Sequence, residues 1–239
     1  GDSVATVLIG SVNYYTAQAF EIETITKVAH SVGARAGFDL AHGAGNLNLD
    51  LHNWGVDFAV WCSYKYLCGG AGSPGGVFVH EKHEDWTGAR LNGWWGNKDT
   101  TRFIMDSKFD PIAGAEGWQI SNAPILSMAC LRSSMAIFSD AGMPAIINKS
   151  KKLTGYLEYL MDSLEEQVKI ITPRDSKKRG AQLSLVVKKN PKDVFNGLNK
   201  NHIVCDWREP DVIRVAPVPL YNTFVDVYRF YEIVKDLLI

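Results

Sequence analysis

The chain has 239 residues, of which 46% are hydrophobic and 21% charged, enough apolar material to bury a core and far from the composition of a disordered chain. Its 25 basic and 26 acidic side chains leave a formal net charge of −1, which argues against a nucleic-acid or polyanion binder. No uninterrupted apolar run approaches the roughly 18 residues of a membrane span.

Residues 4–9 form a short β-branched run that predicts a strand. Residues 21–32 carry Ile22, Ile25, Val28, Ala29 and Val32 at helical spacing, with Gly33 as a stop signal. Residues 36–40 predict a second buried strand. Strand, helix, strand over this distance is a βαβ unit, so the two strands should be parallel neighbours. Residues 58–63 and 77–80 predict two further strands around a Gly-rich loop. The second half has a different texture. A helix is expected over 124–138, capped by Asn122 with Pro124 in its first turn, and another over 146–164. Strands are expected at 168–171, 183–187, 203–206 and 212–215, and helices at 193–198 and 224–238. The pattern predicts an α/β domain over residues 1–120 and a smaller α+β domain over 121–239.

Asp39-Leu-Ala-His42-Gly-Ala-Gly45 sits where a predicted strand meets a loop, the end of a parallel sheet at which ligands bind. Lys65 ends the run Val60-Trp-Cys-Ser-Tyr-Lys65, and a lysine desolvated at a strand end is a candidate amine nucleophile. The pair says more than either member. Pyridoxal phosphate (PLP) chemistry needs a Schiff-base lysine and a carboxylate that keeps the pyridine nitrogen protonated, and parallel strands would bring Asp39 and Lys65 to one sheet edge. Gly70-Ala-Gly72-Ser-Pro-Gly75 has the spacing of a dinucleotide fingerprint, but a strand-like run follows it rather than a helix. His80-Glu-Lys-His83 places its histidines three apart rather than four and reads as a solvated turn, not a metal site. Gly93-Trp-Trp-Gly96 is either an aromatic loop over a ligand or interface, or a hydrophobic plug. Arg214, inside an apolar strand, implies a carboxylate partner from the protein or from an amino-acid substrate. The cysteines, Cys62, Cys68, Cys130 and Cys205, form no Cys-x-x-Cys pair and read as reduced, buried core thiols of a cytosolic protein. The N-terminus has no starting Met and opens directly into an apolar run, so further residues are expected upstream of Gly1.

The stretch Phe38-Asp-Leu-Ala-His-Gly-Ala-Gly resembles the kynureninase family. So do Trp54-Gly-Val-Asp-Phe-Ala-Val-Trp-Cys-Ser-Tyr-Lys-Tyr-Leu, Gly93-Trp-Trp-Gly, Ile120-Ser-Asn-Ala-Pro, Leu153-Thr-Gly-Tyr-Leu-Glu-Tyr-Leu and Arg214-Val-Ala-Pro-Val-Pro-Leu-Tyr-Asn. The matches run in order along nearly the whole chain and look closer to animal-type members than to bacterial ones. The resemblance implies a cytoplasmic fold-type-I PLP homodimer, represented here by part of its large α/β domain and a smaller α+β C-terminal domain. It implies that Lys65 is the Schiff-base lysine, that Asp39 pairs with the pyridinium nitrogen and that His42 lies beside the cofactor. Tyr64 would touch the phosphate and move a proton. Trp94 and Asn122 would bind the phosphate region from the partner subunit, with Asn122 also near substrate, and Arg214 would hold the substrate α-carboxylate. Two departures stand out. The first half of the family's sequence, with its cofactor-stacking ring, is absent. Where many members have Ser at a cofactor contact, this chain reads Gly10-Ser11, and Ser11 would replace that contact.

The implied reaction is hydrolysis of L-kynurenine or 3-hydroxy-L-kynurenine to anthranilate or 3-hydroxyanthranilate and L-alanine. An alternative is a fold-type-I lyase of the cysteine-desulfurase kind, which requires a reactive cysteine on a mobile loop. A non-catalytic fragment is the other alternative.

Overall fold

The structure, a computed structural model, describes residues 3–238. Contacts group the chain into two compact units that interleave in sequence. The first comprises residues 1–11, 21–44 and 49–136; the second comprises 12–20, 45–48 and 137–239.

In the first unit, β1 (Thr6–Gly10), α1 (Ile22–Ser31) and β2 (Arg35–Asp39) make the expected βαβ unit, with β1 and β2 parallel. Gly33 ends the helix in the left-handed region at φ +74°, a conformation that costs glycine nothing. β3 (Phe58–Trp61) adds in parallel and β4 (Gly76–Val79) closes the sheet in antiparallel fashion, in the order β1-β2-β3-β4. Strand alternation sends Val7, Ile9, Ala36, Phe38, Ala59 and Phe78 to one face, where they pack with Ile22, Ile25 and Ala29 of α1. The opposite face carries Leu8, Val60 and Val77, all exposed. There Gly37 leaves room for the Phe58 ring, which an added Cβ would meet at 2.2 Å.

α2 (Ile125–Ala141) carries the chain from the first unit into the second. Asn122 does not cap it. Pro124 stands immediately before the first turn and its carbonyl accepts from Met128 N–H at 2.9 Å, so Asn122 lies too far upstream to reach the first-turn amides.

In the second unit, α3 (Met143–Asp162) begins with a proline in its first turn, where the missing N–H costs nothing. β5 (Val168–Ile170), β6 (Leu183–Val187), α4 (Pro191–Lys200), β7 (Asp206–Arg208), β8 (Val212–Val215) and α5 (Phe224–Leu237) follow. The strands form an antiparallel sheet in the order β5-β6-β8-β7. One face meets the helices through Leu153, Leu157, Met161, Leu185, Leu198, Ile213 and Phe230. α5 opens with a capping box between Thr223 and Asp226. Residues 203–205, expected as strand, lead into β7 without pairing, and the ladder opposite β8 starts at Asp206.

The polar face of this sheet holds the segment 12–20. Gln182 Nε2 donates to the Tyr14 carbonyl at 3.3 Å and Ser184 Oγ to the Tyr15 carbonyl at 2.6 Å. Ala19 N–H donates to Lys178 O at 2.9 Å. Asn46, from the second inserted segment, accepts the buried Ala181 N–H at 2.8 Å.

Candidate active site

β2 ends with Phe38 in the core and Asp39 on the exposed face. The chain then turns tightly, with both Gly43 N–H and Ala44 N–H donating to Leu40 O at 2.8 Å. Asp39 Oδ1 accepts from Ala41 N–H at 2.7 Å, an Asx turn that fixes the carboxylate at the sheet edge. Ser11, just past β1, donates its backbone N–H to Asp39 O at 2.8 Å. Its side chain is buried, and Oγ has no hydrogen-bond partner. That oxygen lies against Gly43, where an added Cβ would approach it to 2.6 Å.

Lys65 is not the last residue of a buried strand. β3 stops at Trp61, and Lys65 follows in a turn, half-buried. Buried Ser63 holds the turn in place by bonding Pro74 O at 2.5 Å, with Ser73 Oγ at 2.8 Å. Gly69 N–H returns to Ser63 O at 2.8 Å and Cys68 N–H to Lys65 O at 2.9 Å. The Gly-rich loop therefore braces the turn that carries the lysine. Ser134 of α2 adds a bond to Leu67 O at 2.5 Å.

Lys65 Nζ lies 3.3 Å from His42 Nε2 and 5.8 Å from the Tyr64 ring centroid. Hydrogen bonding to Cys62 pushes the Tyr64 phenol up from its ordinary value, and the charge of Asp39 acts in the same direction. The structure thus brings Ser11, Asp39, His42, Tyr64 and Lys65 to one edge of the sheet. Cys62 joins them, which the sequence did not suggest: its apolar neighbours made it look like core, but β3 ends one residue earlier. The cysteines as a group are less buried than expected, and Cys130 is exposed on α2.

The Gly-Trp-Trp-Gly stretch is a 3-10 turn, Trp94–Gly96. Its glycines permit close backbone approach. An added Cβ at Gly93 would lie 2.1 Å from Ile120 Cα, and at Gly96 2.7 Å from Gly117 O. Trp94 is exposed, with its indole N–H donated to Arg102 O at 2.5 Å, and Trp95 is half-buried. Asn122 is exposed on the segment leading to α2.

Arg214 belongs to the second unit, on β8 in register with Ser184 of β6 and Asp206 of β7. The protein supplies its carboxylate: Nη2 pairs with Asp206, and Nη1 donates to Tyr14 O at 2.8 Å. Asp206 also holds Arg208 at 3.0 Å.

Residues 146–234 match the kynureninase C-terminal domain family. A kynureninase of Myxococcus xanthus is 56% identical over 97% of this chain and 55% of its own length. Over almost its whole length the chain is similar to kynureninases. The Mus musculus kynureninase is 50% identical over 100% of this chain and 53% of its own. A bacterial kynureninase therefore resembles the chain at least as strongly as an animal one, contrary to the animal-like cast of the motifs. The chain spans about half the length of the curated kynureninases it matches. A cysteine desulfurase from Thermococcus onnurineus NA1 has the same fold, with a TM-score of 0.81 and 20% identity over 98% of this chain and 60% of its own. The fold is that of fold-type-I PLP enzymes.

Proposed function

We propose that the chain is the part of a PLP-dependent kynureninase that carries the Schiff-base lysine. The enzyme would hydrolyse L-kynurenine, 3-hydroxy-L-kynurenine or both, in tryptophan degradation and NAD biosynthesis. The observation that carries this reading is Lys65 Nζ at 3.3 Å from His42 Nε2, three residues past Asp39 at the end of β2, in a chain about half identical to curated kynureninases. The residues present suit PLP: an amine, a carboxylate fixed by its own turn, an imidazole, a phenol, and the buried Ser11 hydroxyl beside Gly43.

PLP, when bound, supplies an electron sink conjugated to the substrate α-carbon. Lys65 would hold the cofactor at rest and, as a free amine, would be the base for the substrate Cα proton. Asp39 would keep a proton at the pyridine nitrogen, and His42 would lie beside the cofactor. Hydrolysis would place the hydroxyl of water on the γ-carbonyl carbon and a hydrogen on Cβ as the Cβ–Cγ bond breaks, with Tyr64 as the proton donor to Cβ and Lys65 returning to Cα the proton it took. Arg214 is assigned to the substrate α-carboxylate, for which its guanidinium would be shared with, or released from, Asp206 and the Tyr14 carbonyl. Ser11, whose buried Oγ has no hydrogen-bond partner, would offer that hydroxyl to the cofactor. Residues 1–120 are assigned to the large cofactor-binding domain and 121–239 to the small one.

The working unit is proposed to be a cytoplasmic homodimer, with Trp94 and Asn122 reaching the phosphate region, and Asn122 the substrate, of the neighbouring subunit. Support comes from exposed large apolar residues of the first unit, among them Leu91, Phe103, Met105, Ile125 and Leu126. A desulfurase reading meets a chemical obstacle. Burial pushes the Cys68 thiol up and the Cys205 thiol up to about 11, the opposite of what a thiolate nucleophile needs.

Lys65→Ala in the full-length enzyme is expected to abolish kynurenine hydrolysis and borohydride labelling by PLP. Peptide mapping that finds the pyridoxyl group on another lysine would overturn the assignment.

A further inference from the structure

The loop from Asn92 to Ile112 is closed by polar contacts rather than by an apolar core. Ile112 N–H donates to Gly96 O at 2.8 Å and Lys98 N–H to Asp110 O at 2.9 Å. Asp110 N–H donates to Asn97 Oδ1 at 3.0 Å.

Arg102 ties the inside of this loop together. Its guanidinium stacks 4.4 Å from the Trp95 ring centroid. Its Nη2 donates to the carbonyls of Trp95 and Asn97 at 3.2 and 3.0 Å. The same nitrogen lies 2.7 Å from Asp99, but the Asp99 side chain is 85% exposed against 11% for Arg102, so that ion pair is screened and adds little. Stacking and the two carbonyl bonds are what hold the guanidinium. The backbone of Arg102 does a second job: its carbonyl accepts the Trp94 indole N–H at 2.5 Å. The next residue, Phe103, meets the Trp94 ring edge-on at a centroid separation of 5.3 Å.

We propose that Arg102 is a positioning residue for Trp94. Its side chain locks the backbone of residues 95–97, and its carbonyl sets the rotation of the exposed indole, which is thereby presented to the cofactor phosphate in one orientation. The phosphate half of this statement rests on the reading of Trp94 given above. Lysine cannot take over the task, because an ammonium has no plane to lay against the Trp95 ring.

In the full-length protein, the near-ultraviolet circular dichroism difference between wild type and Trp94→Phe isolates the Trp94 band. Arg102→Ala and Arg102→Lys are expected to lose that band with the far-ultraviolet spectrum unchanged. If Arg102→Ala fails to fold, Arg102→Lys, which keeps the charge and most of the stem, carries the measurement. The PLP dissociation constant, from equilibrium dialysis, should rise about tenfold in the Arg102 variants and in Trp94→Phe alike, because the indole ring that packs against the phosphate region is turned away or made smaller. The double variant should bind PLP no more weakly than either parent, because both remove the same contact. Unchanged PLP affinity in Trp94→Phe would defeat the phosphate role of Trp94 and leave the positioning inference to the spectrum. Retention of the Trp94 band in the Arg102 variants, or losses that multiply in the double variant, would overturn the inference.

Discussion

Asp57 carries no motif, yet it is the most heavily bonded carboxylate of the first unit. It sits just before β3, buried, and accepts from Ala36 N–H, His30 Nε2, His83 Nε2 and Lys82 Nζ, each at 2.7 Å. It thereby joins α1, β2 and the 3-10 turn after β4. Burial by itself would push its carboxyl up; the donors, Lys82 foremost, outweigh that and hold it well below the usual carboxylate range. A carboxyl depressed in the folded state stabilises above its unfolded value, and that stability drains away as pH falls toward the folded value. Asp57→Asn is therefore expected to cost about 3–5 kcal/mol at neutral pH, the scale for breaking a buried charge pair from one side. The gap from wild type should narrow below about pH 4 in urea melts, since the ordinary carboxylate value lies there. A gap that stays constant down to pH 2 would refute this account. The same cluster corrects the reading of His80-Glu-Lys-His83 as a solvated turn: His83 reaches inward to Asp57, and no spacing rule announces a partner 26 residues upstream.

At the scale of elements, the first unit's sheet was legible because its code is local. Periodicity marked α1, Gly33 marked its end, and the βαβ rule made β1 and β2 parallel neighbours, as found. The second unit's helices and most of its strands were legible for the same reason. The errors fall where side chains outside the element decide. β3 stops at Trp61 because Ser63 bonds the Gly-rich loop. β7 begins at Asp206, in register with Arg214, rather than at residue 203. Asp39 was readable as the end of β2, whereas Lys65 was put at the end of a strand that stops at Trp61, and Cys62 beside Tyr64 was not readable. Gly37 tests how strictly the sheet is packed. Gly37→Ala is expected to destabilise by about 1–3 kcal/mol, because its methyl group would strike the Phe58 ring. Phe58→Leu in the same chain should recover much of the loss. If Gly37→Ala melts like wild type, the ring does not rest where the structure has it.

At the scale of the molecule, the reading of a site shared between subunits can be tested by mixing inactive chains. Lys65→Ala and Trp94→Ala proteins, unfolded and refolded together, should regain part of the activity, because one site of each hybrid dimer carries neither substitution. No recovery above the separate proteins would mean that Trp94 serves its own subunit. Leu126→Glu, on the exposed start of α2, should weaken self-association in sedimentation experiments. The interleaving of the units also has a consequence for how the chain is born. Residues 12–20 leave the ribosome long before Gln182, Ser184 and Arg214, the groups that bind the carbonyls of Tyr14 and Tyr15. Residues 45–48 wait likewise for Ala181. These waiting segments begin one residue after Ser11 and one after Ala44, on either side of Asp39 and His42. Contacts so distant in sequence form late. The backbone next to the candidate catalytic groups therefore gains its final anchors only after β8 has been synthesised, and a ribosome-bound chain stalled before that point would hold Asp39, His42 and Lys65 without the bonds that fasten their neighbours.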